Sequence, residues 1–308
     1  MNSSQNPTAS GIALIDKPEG VTSFQALSAL KKKVGHGKVG HAGTLDKFAS
    51  GLLIVLIGSY TKLNSYFTGL DKRYEGTLHF GTSTTTLDPE GEITDKKPVP
   101  EFDTVEASIS RFIGTIDQVP PQFSAVHIEG KRAYQRALSG EDVKIPSRRV
   151  HIYSLETERW DPPELDFSVT CSKGTYIRAL ARDIGVYCNS SAYLSRLRRT
   201  HIGSFKVSDA VSPDAFDPQR HFLSDREALE GIPGLFLLTL KDAFLDRVKN
   251  GAHLQKEWLA DSIPGEVSFP NGAGKYAAVL DSGGSLAAFV EIVDNRLLYK
   301  FVMPGEKR

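Results

Sequence analysis

Apolar residues along the first two thirds of this chain recur at two spacings, one helical and one strand-like. Residues 12–15 form a short buried run closed by Lys17, Pro18, Glu19 and Gly20, which predicts a strand ending in a turn. Phe24, Leu27, Leu30 and Val34 then repeat at helical intervals, Thr22 and Gln25 have capping-box spacing, and Gly35 follows. Together they predict a helix over residues 22–33. After a glycine-rich stretch over residues 35–43, residues 52–57 are continuously apolar and read as a buried strand. Residues 74–80 alternate, with Tyr74, Gly76, Leu78 and Phe80 on one face, and residues 166–172 do the same with Phe167, Val169 and Cys171. Ile177, Leu180, Ala181 and Ile184 form the apolar stripe of a second helix over about residues 175–187.

Half-polar strands among helices fit a mixed, largely antiparallel sheet of α+β type better than a doubly wound parallel one. Residues 208–234 are rich in Asp, Pro and Ser. Beyond them, residues 276–280, 286–292 and 297–303 are short strand candidates between Gly or Asp turns. A main domain over residues 11–232 and a small β-rich domain over residues 235–308 are therefore expected, with residues 1–10 disordered. At 308 residues, 40% hydrophobic and 24% charged, the chain has the makings of one large or two unequal globular domains. Its longest apolar run falls far short of the ~20 residues that cross a bilayer. The polar start carries no secretory pattern, and only two cysteines occur, Cys171 and Cys188. Reduced thiols and a cytoplasmic location are expected.

Net charge is zero, with 37 basic and 37 acidic residues, which alone argues against a polyanionic partner. The clustering argues for one. Lys31, Lys32 and Lys33, then Lys131 and Arg132, then Arg148 and Arg149, then Arg196, Arg198 and Arg199 lie in tight groups, and phosphates are neutralised where cations converge. Any one cluster alone also reads as a solvated face. Gly35, Gly37 and Gly40 match a dinucleotide fingerprint only literally, because a helix precedes them where a strand is required. His36 and His41 sit in a glycine loop without a cysteine or histidine cluster, which disfavours a metal site. Asp46, in a loop before an apolar strand, is placed either to cap a turn or to approach a ligand.

Taken in order, the motifs resemble the TruB family of tRNA pseudouridine synthases. They are residues 11–20, residues 38–46 with residues 49–53, Lys72-Arg73-Tyr74 leading into residues 80–91, residues 120–125 with residues 130–134, residues 171–178, and residues 197–200 with Gly203. Several spaced blocks in one order are more specific than any single motif. The sequence departs from the family pattern at Lys47, where proline is usual, and at Val126-His127.

This resemblance implies the pseudouridine-synthase fold, a small RNA-binding domain of the PUA type at the C-terminus, and isomerisation of uridine 55 in the T-loop of transfer RNA. It further implies Asp46 as the essential carboxylate, Arg178 as its partner and Tyr74 as the aromatic wall against the target base. His41, Tyr176, Leu197 and Lys17 would contact the substrate. Lys31, Lys32, Lys33, Lys131, Arg132, Arg198 and Arg199 would form phosphate patches along the T-arm. The reaction exchanges an N1–C1′ bond for a C5–C1′ bond with no redox change, so neither a cofactor nor a metal is expected. A monomer acting on tRNA without a guide RNA or a membrane is the expected state. An RNA-binding protein without turnover is the alternative.

Overall fold

Among the described residues, nine strands form the main sheet of the computed structural model, which covers residues 9–35, 37–124, 127–128, 131–132, 145–261, 275–294 and 296–304. At residues 127, 128, 131, 132 and 275 only the backbone is described. In chain order the strands are β1 (Gly11–Lys17), β2 (Val39–His41), β3 (Ser50–Ile57), β4 (Lys72–Phe80), β5 (Thr82–Thr84), β6 (Ile93–Lys96), β7 (Gly114–Gln118), β8 (His127–Ile128), β9 (Lys131–Arg132), β10 (Arg148–Asp161), β11 (Glu164–Cys171), β12 (Ala192–Ile202) and β13 (Phe205–Lys206). The sheet runs β1-β3-β12-β4-β11-β10-β7, with β2 added beside β3 and β13 beside β12. Every pairing in it is antiparallel except β3 with β12. The expected mixed, largely antiparallel α+β sheet is what forms.

Helix α1 (Ser23–Val34) starts at the capping box of Thr22 and Gln25 and ends at Gly35, whose φ of 76° suits a glycine. Helices α2 (Asn64–Thr68), α3 (Phe102–Ile109) and α4 (Ile177–Tyr187) follow. Strand β3 is apolar from Leu52 to Ile57 because it is covered on both faces there. Leu53, Val55 and Ile57 join the core that holds Leu27 and Leu30 of α1 and Leu180 and Ile184 of α4, while Leu52, Ile54 and Leu56 join a second core. Strands β7, β10 and β12 were not anticipated; β10 is fourteen residues long and broken by register shifts, which blur a period of two.

The C-terminal part forms a separate four-stranded sheet of β14 (Leu235–Thr239), β15 (Lys275–Leu280), β16 (Leu286–Val293) and β17 (Arg296–Val302). It has its own core and also shares one with the main sheet: Ala278, Leu286 and Phe289 pack into the cluster that holds Leu52 and Ile54. Tyr66 of α2 lies 4.7 Å from Phe289 and 5.4 Å from Tyr276, centroid to centroid. Asp225, at the start of α5 (Asp225–Glu230), accepts hydrogen bonds from the Tyr60 hydroxyl at 2.7 Å and the Leu286 amide at 2.6 Å. Both cysteines are free and buried. No helix among the described residues is long and apolar enough to cross a membrane. The disordered start expected at residues 1–10 falls outside the described residues except for Ala9 and Ser10.

Candidate active site

Asp46 sits in the loop between β2 and β3, and that loop is tied down on two sides. The Ser23 hydroxyl, in the first turn of α1, accepts from the Leu45 amide at 2.9 Å and donates to the Leu45 carbonyl at 3.1 Å. On the other side the Lys47 carbonyl accepts from the Gly20 amide at 2.9 Å and from the Lys17 ammonium at 3.5 Å. The Ala49 amide closes a turn onto the Asp46 carbonyl. The backbone is thus fixed on both flanks of a carboxylate that remains 39% exposed.

Arg178 reaches Asp46 from the first turn of α4. That turn is set by Gln118 at the end of β7, whose side chain bonds both the amide and the carbonyl of Tyr176 at 2.8 and 3.1 Å. The Arg178 guanidinium is almost wholly buried. Its Nε lies 2.9 Å from Asp46 Oδ2 as an ion pair without hydrogen-bond alignment, and Nη2 donates to Asp46 Oδ1 at 3.2 Å. Nη1 donates to Asp88 Oδ2 at 3.2 Å and to the Thr86 carbonyl at 2.7 Å, and Nη2 also donates to the Phe123 carbonyl at 3.0 Å. One cation therefore spans two carboxylates, one open to solvent and one enclosed. Burial pushes the Asp88 carboxyl above its usual range, more than the hydrogen bond from Thr86 and the charge of Arg178 pull it down.

These residues form the floor and walls of an open cleft of about 700 Å³, lined by Asp46, Tyr74, Arg178, Tyr176, Leu197 and Arg199 among others. A volume of ~300–1,000 Å³ suits one small molecule or one extruded nucleotide and not a duplex. Tyr74 and Leu197 are buried in the sheet, and Arg199 pairs with Tyr74 across β12 and β4. Burial raises the Tyr74 phenol pKa, and the neighbouring Arg199 charge opposes that. Arg148 at the start of β10 stacks its guanidinium 4.4 Å from the Tyr176 ring centroid.

Asp46, Tyr74, Arg178, Tyr176 and Leu197 are thus brought to one cavity. Two of the expected positions need correcting. Lys17 is fully buried, and its ammonium donates to the Pro18 and Val21 carbonyls at 2.9 and 2.7 Å, so it supports the Asp46 loop from beneath instead of lining the cleft. Burial pushes its pKa down to about 8. Arg199 is 1% exposed and donates to the Leu52 and Gly43 carbonyls at 2.8 and 3.0 Å. It belongs to the floor of the cleft and not to an outer phosphate patch.

His41 lies on β2 outside the cleft lining, with Nδ1 buried and unpartnered; burial, then the Arg199 charge, lower its pKa. Lys31 and Lys32 are exposed on α1, Lys31 over the Phe24 ring at 5.2 Å, while Lys33 is drawn to the Phe216 carbonyl at 3.0 Å. Arg198 is paired with Asp16 at 2.7 and 3.1 Å. Lys131 and Arg132 form β9, and their side chains lie outside the described residues. Reading the sequence missed Asp88 as a site residue, although it stands inside the block of residues 80–91; its signal was an acid just after the threonine run 84–86, opening the turn Asp88-Pro89-Glu90-Gly91. Among the described residues, no three His, Cys, Asp or Glu side chains converge as a metal site would require.

Known proteins resemble this chain in sequence and in fold. The family model described as TruB family pseudouridylate synthase (N terminal domain) matches residues 31–177. A Borreliella burgdorferi (strain ZS7) protein named tRNA pseudouridine synthase B is 42% identical over 250 residues, covering 80% of this chain and 87% of its own. A Thermobifida fusca (strain YX) protein of the same name is 42% identical over 216 residues, covering 67% and 74%. Among solved structures, a chain of a Cbf5-Nop10-Gar1 complex superposes with a TM-score of 0.68 at 24% identity, covering 96% of this chain and 85% of that one. That likeness concerns the fold.

Proposed function

The chain belongs to the TruB family of pseudouridylate synthases, and from that premise we propose that it converts uridine 55 in the T-loop of tRNA to pseudouridine at the Asp46 cleft. The observation that carries this reading is the Asp46 carboxylate, partly open at the floor of a nucleotide-sized cleft and gripped from behind by Arg178. An RNA-binding protein without turnover has no need of a partly open carboxylate in its cleft, where a negative charge disfavours an incoming polyanion.

The chemistry follows from the arrangement. The target nucleotide leaves its stack, at a cost of a few kcal/mol, and enters against Tyr74 and Leu197. Asp46 meets the sugar at C1′ and assists scission of the N1–C1′ bond, by adding to C1′ or otherwise. The detached ring turns within the walls, C5 joins C1′, and the C5 proton passes to solvent while N1 takes up a proton. Arg178 holds the carboxylate in place. The buried walls hinder escape of the free base.

The test uses a T-arm hairpin tritiated at C5 of its uridines, since C5–C1′ bond formation releases that tritium to water. Release by the wild-type protein, its loss in Asp46→Ala, and its loss when uridine 55 is replaced by cytidine are expected. Retention of all tritium by the wild-type protein, with the hairpin bound, overturns the enzymatic reading in favour of a binder.

The same proposal extends to the setting. The protein acts in the cytosol as a monomer without a guide RNA, in keeping with its 42% identity to proteins named for tRNA. Residues 235–308 act as a PUA-like RNA-binding domain beside a catalytic domain of residues 11–232. Exposed Lys31 and Lys32, with Lys131, Arg132 and Arg198, contact T-arm phosphates.

A further inference from the structure

Arg148 is a cation of the cleft that the chemistry above leaves unused. The other two arginines of the cleft are held by acceptors: Arg178 is paired with two carboxylates, and Arg199 donates to two carbonyls. Arg148 differs. Its Nε and Nη2 are buried without a hydrogen-bond partner, and no carboxylate among the described residues pairs with it. Leaving a buried donor unmet is costly, and more so when it is charged.

Its orientation is fixed all the same. The guanidinium lies against the Tyr176 ring at 4.4 Å, and Gly174 passes close enough that a Cβ there would stand 3.5 Å from Nη1. Stacking on a ring face holds the plane while leaving the in-plane N–H groups available. Nε and Nη2 share the edge that offers two parallel donors, the fork that fits two oxygens of a phosphate. Arg148 lines the same cleft as Asp46, and exposed Lys173 adds a second positive charge to that lining.

We propose that Arg148 is a phosphate-binding residue of the cleft, whose free Nε and Nη2 edge takes the phosphodiester immediately 5′ or 3′ of the extruded nucleotide. The inference rests on the proposed function and specifies how that site recognises its RNA. It predicts that the cleft reads the backbone of the target nucleotide as well as its base.

The experiment pairs Arg148→Met with T-arm hairpins in which one phosphodiester, 5′ or 3′ of uridine 55, is a neutral methylphosphonate. Tritium release by the wild-type protein on unmodified hairpin is the control, so failure of the functional reading is seen separately. With unmodified hairpin, Arg148→Met is expected to lose roughly ten- to hundredfold in affinity, and its salt dependence to fall by about one phosphate contact. One of the two methylphosphonates weakens wild-type binding by a similar factor and leaves Arg148→Met unaffected. Circular dichroism and thermal melting establish that the variant is folded; if it is not, Arg148→Lys, which keeps the charge but loses the fork, is expected to bind between wild type and background with the salt slope retained. The proposal is overturned if the variant's loss is independent of salt, as a purely structural brace for Tyr176 would give. It is equally overturned if both methylphosphonates weaken the folded variant as much as the wild type.

Discussion

Asp88→Asn separates the chemistry of the site from the stability of the fold. Asp88 is 4% exposed, and its carboxyl is held above 3.8 chiefly by burial, against the pull of Thr86 and Arg178. A carboxyl raised in the folded state binds more protons there than in the unfolded chain, so stability falls as pH rises from 3.8 through the folded value. The anion at 88 is thus a burden on the fold at neutral pH. Asn keeps the shape and retains an acceptor for the Glu90 amide, which lies 3.1 Å from Oδ1, so stability is expected to stay within about 1 kcal/mol, a few degrees in Tm. Turnover is another matter. The substitution removes the charged acceptor that draws Nη1 away from Asp46 and sets the tilt of the Arg178 guanidinium. A charge-assisted hydrogen bond contributes about 1.5–3 kcal/mol, which, if expressed in the transition state, corresponds to a roughly ten- to hundredfold fall in kcat. KM should change little, because Asp88 does not line the cleft. Single-turnover tritium release with saturating hairpin, together with melts at pH 4 and pH 7, checks both halves, the wild type losing stability relative to the variant between those pH values. Wild-type kcat at unchanged Tm would refute the claim that Asp88 aims Arg178. A fall of Tm by more than ten degrees would refute the claim that its charge does not serve the fold.

Lys17→Met tests the support beneath the Asp46 loop. Its ammonium pKa is lowered from 10.5 to about 8 by burial, so the unfolded chain binds more protons between those values and stability should rise with pH across them; urea titrations from pH 7.5 to 10.5 should show that rise in the wild type and not in the variant, and parallel curves would contradict it. Gly51→Ala should destabilise by about 3 kcal/mol or more, since Gly51 has a φ of 109° and a Cβ there would stand 2.3 Å from the Arg199 carbonyl oxygen; a variant melting with the wild type would show that β3 and β12 can part at no cost. Arg199→Met should leave the Leu52 and Gly43 carbonyls without this donor, at about 1–3 kcal/mol each, and Arg199→Lys should recover part of that; equal melting of both variants and the wild type would count against a structural role for the buried guanidinium.

The readable parts of the sequence and the opaque ones divide along a physical line. Capping at Thr22, the alternation in β4 and β11 and the stripe of α4 are local, and local pattern is what periodicity reports. The pairings that assemble the site are not local. Asp46 and Arg178 meet across 132 residues, and Arg178 and Asp88 across 90. Composition carries no trace of such contacts, and only the ordered motif blocks pointed to the first of them.

Strand β12 shows why the basic cluster at residues 196–199 divides, with Arg199 buried and Arg198 left half-exposed. Read as charges, Arg198 and Arg199 are one surface patch. Read as a strand, Leu197 and Arg199 stand two apart and share the face that lines the cleft, whereas Arg198 turns the other way to Asp16. The only parallel pairing of the main sheet among the described residues places Arg199 opposite Gly51, and the missing side chain at 51 is what lets the two backbones close. On its other edge β12 places Arg199 opposite Tyr74. One buried guanidinium thereby joins the carbonyl of Gly43, at the start of the Asp46 loop, to the strand that carries the aromatic wall. The distance between carboxylate and wall, on which turning a detached base depends, is set by the register of three central strands and not by the loop alone. A loop substitution that keeps Asp46 and leaves the bonds to Ser23, Lys17 and Arg199 in place should accordingly be tolerated far better than a one-residue slip anywhere in β12.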